Sequence, residues 1–300
     1  YDGMEVDAAM EEGAKQLRVL LLGSPRVFYD EQEIHIKRRL LRALFFYLAS
    51  QPDPVGRSVL MDLLWPEESE EDARRHIREA LSKLRAELPE PSLIVATQDH
   101  VRLDSEQVYV DLLEYQALLE QVRPYLQRGM HTPLPEAIYQ QMVKAVNLWR
   151  GTEFLAGANL PSTDGLDHWL SLTSQSLSYS FQNLLETLSE HCAISGDLEN
   201  AVHWIRKAIQ LDEENPDLYY QLIQWLYDLG RRSEALGECD RIRHVYESLG
   251  ERMPTILNNL CQRIREAADF PPSQMVTPWH NMLTLQLPFV GRKKLLTDLK

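Results

Sequence analysis

Cysteine is scarce in this chain of 300 residues: Cys192, Cys239 and Cys261 are its only three, far apart and without C-x-x-C spacing. An odd, scattered set excludes a disulfide framework and a zinc site of paired ligands, so reduced thiols in a cytoplasmic protein are expected. Long apolar runs are missing as well. None approaches the roughly 18 residues of a membrane span. The acidic opening from Tyr1 to Gln16 lacks the apolar core of a signal peptide. No membrane partner is expected. The chain holds no G-x-x-x-x-G-K-[ST] phosphate loop and no nucleophile-elbow motif, so neither enzymatic activity nor a bound cofactor is expected. Positive charge is also in deficit. Lys and Arg number 31 against 45 Asp and Glu, a formal net charge of −14. Taken whole, that sum argues against binding a polyanion such as DNA.

What the chain does have is the balance of a folded protein, 44% hydrophobic and 25% charged residues. Its length suggests two domains, and its character changes near residue 105. Leu17 to Leu22 reads as a strand ended by Gly23-Ser24-Pro25, and Arg26–Tyr29 with Glu33–Ile36 as a hairpin. Leu40, Leu41, Leu44, Phe45 and Leu48 make the apolar stripe of a first helix, stopped at Gln51-Pro52-Asp53-Pro54. A short second helix runs from about Arg57 to Trp65. A third follows the acidic run Glu67–Asp72 and extends to about Leu88, with Ser69 and Asp72 at capping-box spacing. Its stripe is Ile77, Ala80, Leu81, Leu84 and Leu88. Leu93–Ala96 and His100–Leu103 then form a second hairpin.

Strands, three helices and a hairpin in under 90 residues are the layout of a winged helix-turn-helix. In that layout the third helix enters the major groove, where Arg binds guanine through two hydrogen bonds. Arg74, Arg75, Arg78 and Arg85 lie off the apolar stripe, with Ser82 among them. Read in isolation, the same residues are a solvated face with pairs such as Arg75 with Glu79. The charge sum also divides by segment. Residues 17–104 carry 13 Lys and Arg against 15 Asp and Glu, whereas residues 105–300 carry 17 against 25. Most of the acidity lies outside the candidate binding domain.

Beyond residue 105 the pattern is almost continuously helical, and it repeats. Leu185, Leu188, Cys192, Gly196, Ala201, Ile205 and Ala208 recur 34 residues later as Tyr219, Leu222, Leu226, Gly230, Ala235, Cys239 and Ile242. Thirty-four is the tetratricopeptide period. Such units expose a groove suited to a helix or peptide, so self-association or a protein partner is expected there. His191 and His203 with Glu190 lack a third and fourth ligand and are expected to be surface residues rather than a metal site. A mainly α chain with a small β component is therefore expected, a winged helix-turn-helix followed by a tetratricopeptide-like repeat domain. Its divisions are a disordered or appended tail (1–16), the winged helix (17–104), the helical domain (105–268), a Pro-rich linker (269–287) and the start of a further module (288–300).

At these residues the chain resembles the Streptomyces antibiotic regulatory protein family of transcriptional activators. The resemblance spans about residues 17–266. It is carried by Leu17-Arg18-Val19-Leu20, Arg42-Ala43-Leu44, Leu60-x-x-Leu63-Leu64-Trp65, Ser82-Lys83-Leu84-Arg85 and Val101-Arg102-Leu103. Val110-Asp111-Leu112 and Leu148-Trp149-Arg150-Gly151 continue it into the second domain. In the wing, Asp99 or His100 and Val101 stand where the family usually has glycine and tyrosine. The resemblance implies an OmpR-like winged helix that binds direct repeats in double-stranded promoter DNA and recruits RNA polymerase. It would place Arg39, Arg57 and Arg102 near the DNA backbone, and Glu67, Glu68, Glu70 and Glu71 against the polymerase. Pro288-Phe289-Val290-Gly291-Arg292 resembles the opening of the ATPase module of larger family members. The rival expectation is a tetratricopeptide scaffold whose winged helix does not bind DNA specifically.

Overall fold

The computed structural model describes residues 17–126 and 132–267. The expected tail (1–16), linker and further module lie outside the described residues. The fold is mainly α with a small β component, a winged helix-turn-helix followed by a tetratricopeptide-like helical array.

Strands β1 (Leu17–Leu20), β2 (Arg26–Tyr29) and β3 (Gln32–Ile34) form an antiparallel meander. Leu17 and Val19 alternate inward from β1 and are wholly buried. Helix α1 (Arg39–Ala49) buries Leu41, Leu44, Phe45 and Leu48, and α2 (Arg57–Leu64) buries Leu60, Leu63 and Leu64. Helix α3 (Glu70–Glu87) starts where Ser69 accepts a hydrogen bond from the Asp72 amide. Three acidic residues in its first turn and Arg85 in its last complement the helix dipole. Its buried stripe is Ala73, Ile77, Ala80, Leu81 and Leu84. A short β4 (Val55–Gly56) joins the wing strands β5 (Ile94–Ala96) and β6 (His100–Leu103) in the order β4-β6-β5.

The sequence boundary at 104/105 is not the packing boundary. Strand β7 (Val108–Val110) returns to the first sheet and pairs in parallel with β1, Leu17 opposite Val108 and Val19 opposite Val110. The next residue, Asp111, is 1% exposed and its carboxylate accepts from the amides of Leu21, Leu22 and Leu112. Arg150 lies 3.6 Å from the same carboxylate and donates to the Ser24 carbonyl. Burial pushes the Asp111 carboxyl up, while the three amide donors and Arg150 pull it down; the net shift is upward. Asp111 and Arg150 thus dock the helical array on the β1–β2 turn.

Helices α4 (Asp111–Val122) and α5 (Glu136–Asn147) form the first helix pair of the array. A strap, residues 150–160, then crosses the winged helix. Its Arg150, Leu155 and Ala156 amides donate to the carbonyls of Leu22, Leu21 and Gly23. Helix α6 (Asp164–Ile194) follows, 31 residues or about 46 Å long. Gly165 passes so close to α2 that a Cβ there would sit 3.0 Å from the Leu63 Cα. Trp169 packs edge-on against Tyr47 of α1.

The 34-residue repeat becomes α6 with α7 (Leu198–Leu211) and α8 (Pro216–Asp228) with α9 (Arg232–Ser248). Apart from the two glycines, every residue aligned by the repeat is buried. Gly196 and Gly230 occupy the same left-handed position, φ +82° and +74°. In both turns the following amide reaches back 2.9 Å, Asp197 to the Cys192 carbonyl and Arg231 to that of Leu226. Helix α10 (Thr255–Glu266) closes the described array and packs on α8 and α9.

Two expectations are corrected here. Cys239 and Cys261 are not reduced thiols but a disulfide between α9 and α10, with Cα atoms 5.8 Å apart. The packing of α10 on α9 creates this pair, which spacing along the chain did not show. His191 is not a surface residue. It is 9% exposed, and its Nδ1 accepts a 2.9 Å hydrogen bond from the Leu134 amide. Burial holds its pKa below the ordinary histidine value. Among the described residues, no group of three His, Cys, Asp or Glu could hold a metal, and no helix is long and apolar enough to cross a membrane.

Candidate nucleic-acid interface

Helix α3 divides its arginines into two sets. Arg74 pairs with Glu70 at 2.5 Å, and Arg75 with Asp72 at 2.6 Å. The Arg75–Glu79 pair of the solvated-face alternative does not form; Glu79 instead pairs with Lys83 at 3.2 Å. Arg78 and Arg85 have no carboxylate partner among the described residues. Arg78 Nε donates to the Arg74 carbonyl, and Arg85 donates to the carbonyl of Ile94 at the start of the wing. Seven residues apart, they share one flank of the helix. Ser82 lies on the adjoining exposed surface.

A third guanidinium joins them from another element. Arg57, the first residue of α2, donates to the Thr97 carbonyl in the wing turn at 3.1 and 3.0 Å. Its pKa is held below the ordinary arginine value by burial, and then by the positive charges of Arg85 and Arg78. Arg57 and Arg85 thus meet the wing from α2 and α3, with Arg78 near enough to act on Arg57 and Asp99 as the opposing charge. Mutual repulsion makes such a cluster costly unless an anion lies over it.

The wing closes despite the substitutions in its turn. The Thr97 amide donates to the His100 carbonyl, the His100 amide to Thr97 Oγ1, and the Arg57 amide to the Asp99 carbonyl. No residue of the turn has positive φ, so glycine is not required there. Arg102 is half-buried on β6, its guanidinium 3.5 Å from the Leu103 carbonyl.

Arg39 lies apart from this cluster. Its guanidinium donates to the Asn159 and Leu160 carbonyls of the strap, which makes it a tie between the two halves. The acidic run is divided as well. All four glutamates are exposed, but Glu68 contacts His76 at 2.5 Å and Glu70 is held by Arg74, whereas Glu67 and Glu71 have no ion pair among the described residues. Sequence reasoning missed Asp111 and Arg150 as the joint between the halves. Both lie in the short motifs that carried the resemblance, which was the only signal available.

The fold is thus a winged helix docked on a tetratricopeptide-like array. Residues 110–265 match the bacterial transcriptional activator domain, and the chain belongs to that family. Among solved structures it is similar in fold to Mycobacterium tuberculosis EmbR, determined in complex with a low affinity phosphopeptide. That likeness has a TM-score of 0.56 and 22% sequence identity over 84% of this chain. The chain spans 65% of the length of that EmbR chain. Among curated proteins, none matches.

Proposed function

We propose that the chain is a sequence-specific, DNA-binding transcriptional activator. Its α3 would lie in the major groove of promoter DNA, and Arg78 and Ser82 would read base edges. Arg57, Arg85 and Arg102 would hold phosphates on the wing side, fixing register without carrying sequence information. The observation that carries this reading is the convergence of Arg57, Arg78 and Arg85, none of which has an ion-pair partner among the described residues, with Asp99 of the wing turn the one carboxylate that acts on Arg57. Arg74 and Arg75, neutralised within α3, are secondary. The exposed Glu67, ahead of α3, and Glu71, in its first turn, are the proposed contact for RNA polymerase, as in OmpR-like proteins. The resemblance further suggests tandem binding to direct repeats.

Selection from random-sequence duplexes with the purified 300-residue chain tests this. Enrichment of a motif, repeated in one orientation, is the expected result. Recovery of no motif at low salt would leave the scaffold reading, in which the array captures a protein and the winged helix does not recognise sequence.

A further inference from the structure

A second site lies where the strap crosses α1 and the β2–β3 edge of the winged helix. A pocket of about 170 Å³ opens there. Its floor is apolar: Val27, Ile36 and Phe46 are each less than 5% exposed. His35 and Arg42 stand on its wall, and Gly157 of the strap forms the far side. No carboxylate lines it, in a chain of net charge −14.

Arg42 is the central group. It has no carboxylate partner among the described residues. Two of its nitrogens donate to the Ile36 and Asn159 carbonyls, and its buried Nε has no acceptor. Arg39 beside it is likewise bonded to strap carbonyls rather than to an acid. Carbonyl oxygens satisfy the geometry of a guanidinium but leave its charge uncompensated. Arg26, also on the wall, is neutralised by a bidentate bond to Glu33 at 3.1 and 2.9 Å. The uncompensated charge is therefore concentrated at Arg42 and the strap.

We propose that this pocket binds a small organic acid, a carboxylate or phosphate head on a short apolar body, with the head at Arg42 and the body over Val27, Ile36 and Phe46. The volume is below the roughly 300–1,000 Å³ of sites for drug-sized ligands, which limits the occupant to a few carbon atoms. Its walls come from both halves of the molecule, so an occupant bridges the winged helix and the strap that leads into α6. Binding is then linked to how the two halves are held, as a ligand is linked to any arrangement it prefers. The proposal is independent of whether α3 reads DNA.

Gly157 offers a specific probe, because Ala156-Gly157 is the only Ala-Gly pair in the sequence. Labelling alanine carbonyls with ¹³C and glycine amides with ¹⁵N isolates its signal in the full chain. Titration with hexanoate or butyl phosphate is expected to move that signal saturably, with one head preferred, while neutral hexanamide leaves it in place. Arg42→Met, which keeps the aliphatic stem, is expected to abolish the response; Arg42→Lys is expected to retain a weakened one. The remaining glycine amides report whether each variant is folded. Absence of saturable movement with both acids, an equal response to hexanamide, or a full response in a folded Arg42→Met variant would overturn the proposal.

Discussion

Arg74 and Arg78 are one helical turn apart and identical in type, yet their surroundings give them different work. Arg74 is already satisfied by Glu70, and an exposed pair of this kind contributes roughly 0–1 kcal/mol. Arg78 is backed by Arg57 and Arg85 and has no carboxylate to leave. Arg78→Ala is therefore expected to cost about 1–3 kcal/mol of affinity for a selected site and to relax base preference at one position. Arg74→Ala should cost less and leave base preference unchanged; competition binding with single-base variants checks both. His191 leads to a different prediction. Its Nδ1 must be neutral to accept from Leu134, and burial lowers its pKa in the folded chain. Between that lowered value and the unfolded value near 6.5 the unfolded chain binds more protons, so stability rises with pH. The contribution is present above about pH 6.5 and is lost as pH falls through the folded value. Denaturant melts from pH 7.5 to 5 should show this loss, and His191→Gln should flatten the profile.

At the scale of elements, the two array turns make matching use of glycine. A side chain at Gly196 or Gly230 would be forced into the left-handed region, at a cost of roughly 1–2 kcal/mol. Gly196→Ala and Gly230→Ala should each destabilise the protein by about that amount in chemical denaturation, since both turns use the same hydrogen bonds. This part of the fold was readable in advance because helical packing writes a period into the chain. Leu185 and Tyr219, Ala201 and Ala235, Ile205 and Cys239 are buried as the 34-residue spacing requires. The three helices of the winged part and its wing were readable for the same reason, from apolar stripes and turn residues. Other features carry no period. Strand β7 joins β1 across some 90 residues, and Asp111 meets Leu21 and Leu22 over the same distance. The candidate site was readable as a set of arginines but not as a division among them. Arg75 had Asp72 behind it and Glu79 ahead, and the spacing alone did not show that it pairs with Asp72 while Glu79 pairs with Lys83.

For the whole molecule, the joint around Asp111 and the strap makes the winged helix and the array one continuous core. The Cys239–Cys261 bond ties its last described helix to α9 over a separation of 22 residues. A bridge closing a loop of about that size stabilises by roughly 3 kcal/mol. Thiol titration of the denatured, unreduced chain should find one free group, Cys192, and reduction should lower the unfolding midpoint. Three free thiols before reduction would contradict the pairing. Charge also acts at this scale. The excess of carboxylates lies mainly outside residues 17–104, where 13 cations face 15 anions, so the basic cluster keeps its local field. Charges farther off than about 10 Å are largely screened at 0.1 M salt. The distant acidity should instead weaken binding to arbitrary DNA.

The most direct measurement is an equilibrium titration of the chain against its selected duplex and against a scrambled duplex of equal length, across a range of salt. The account predicts preference for the selected duplex by about 10³-fold or more near physiological salt, as specific binders show. Both affinities should fall as salt rises, because phosphate neutralisation releases counterions. Equal affinity for the two duplexes at every salt concentration would contradict sequence recognition by α3.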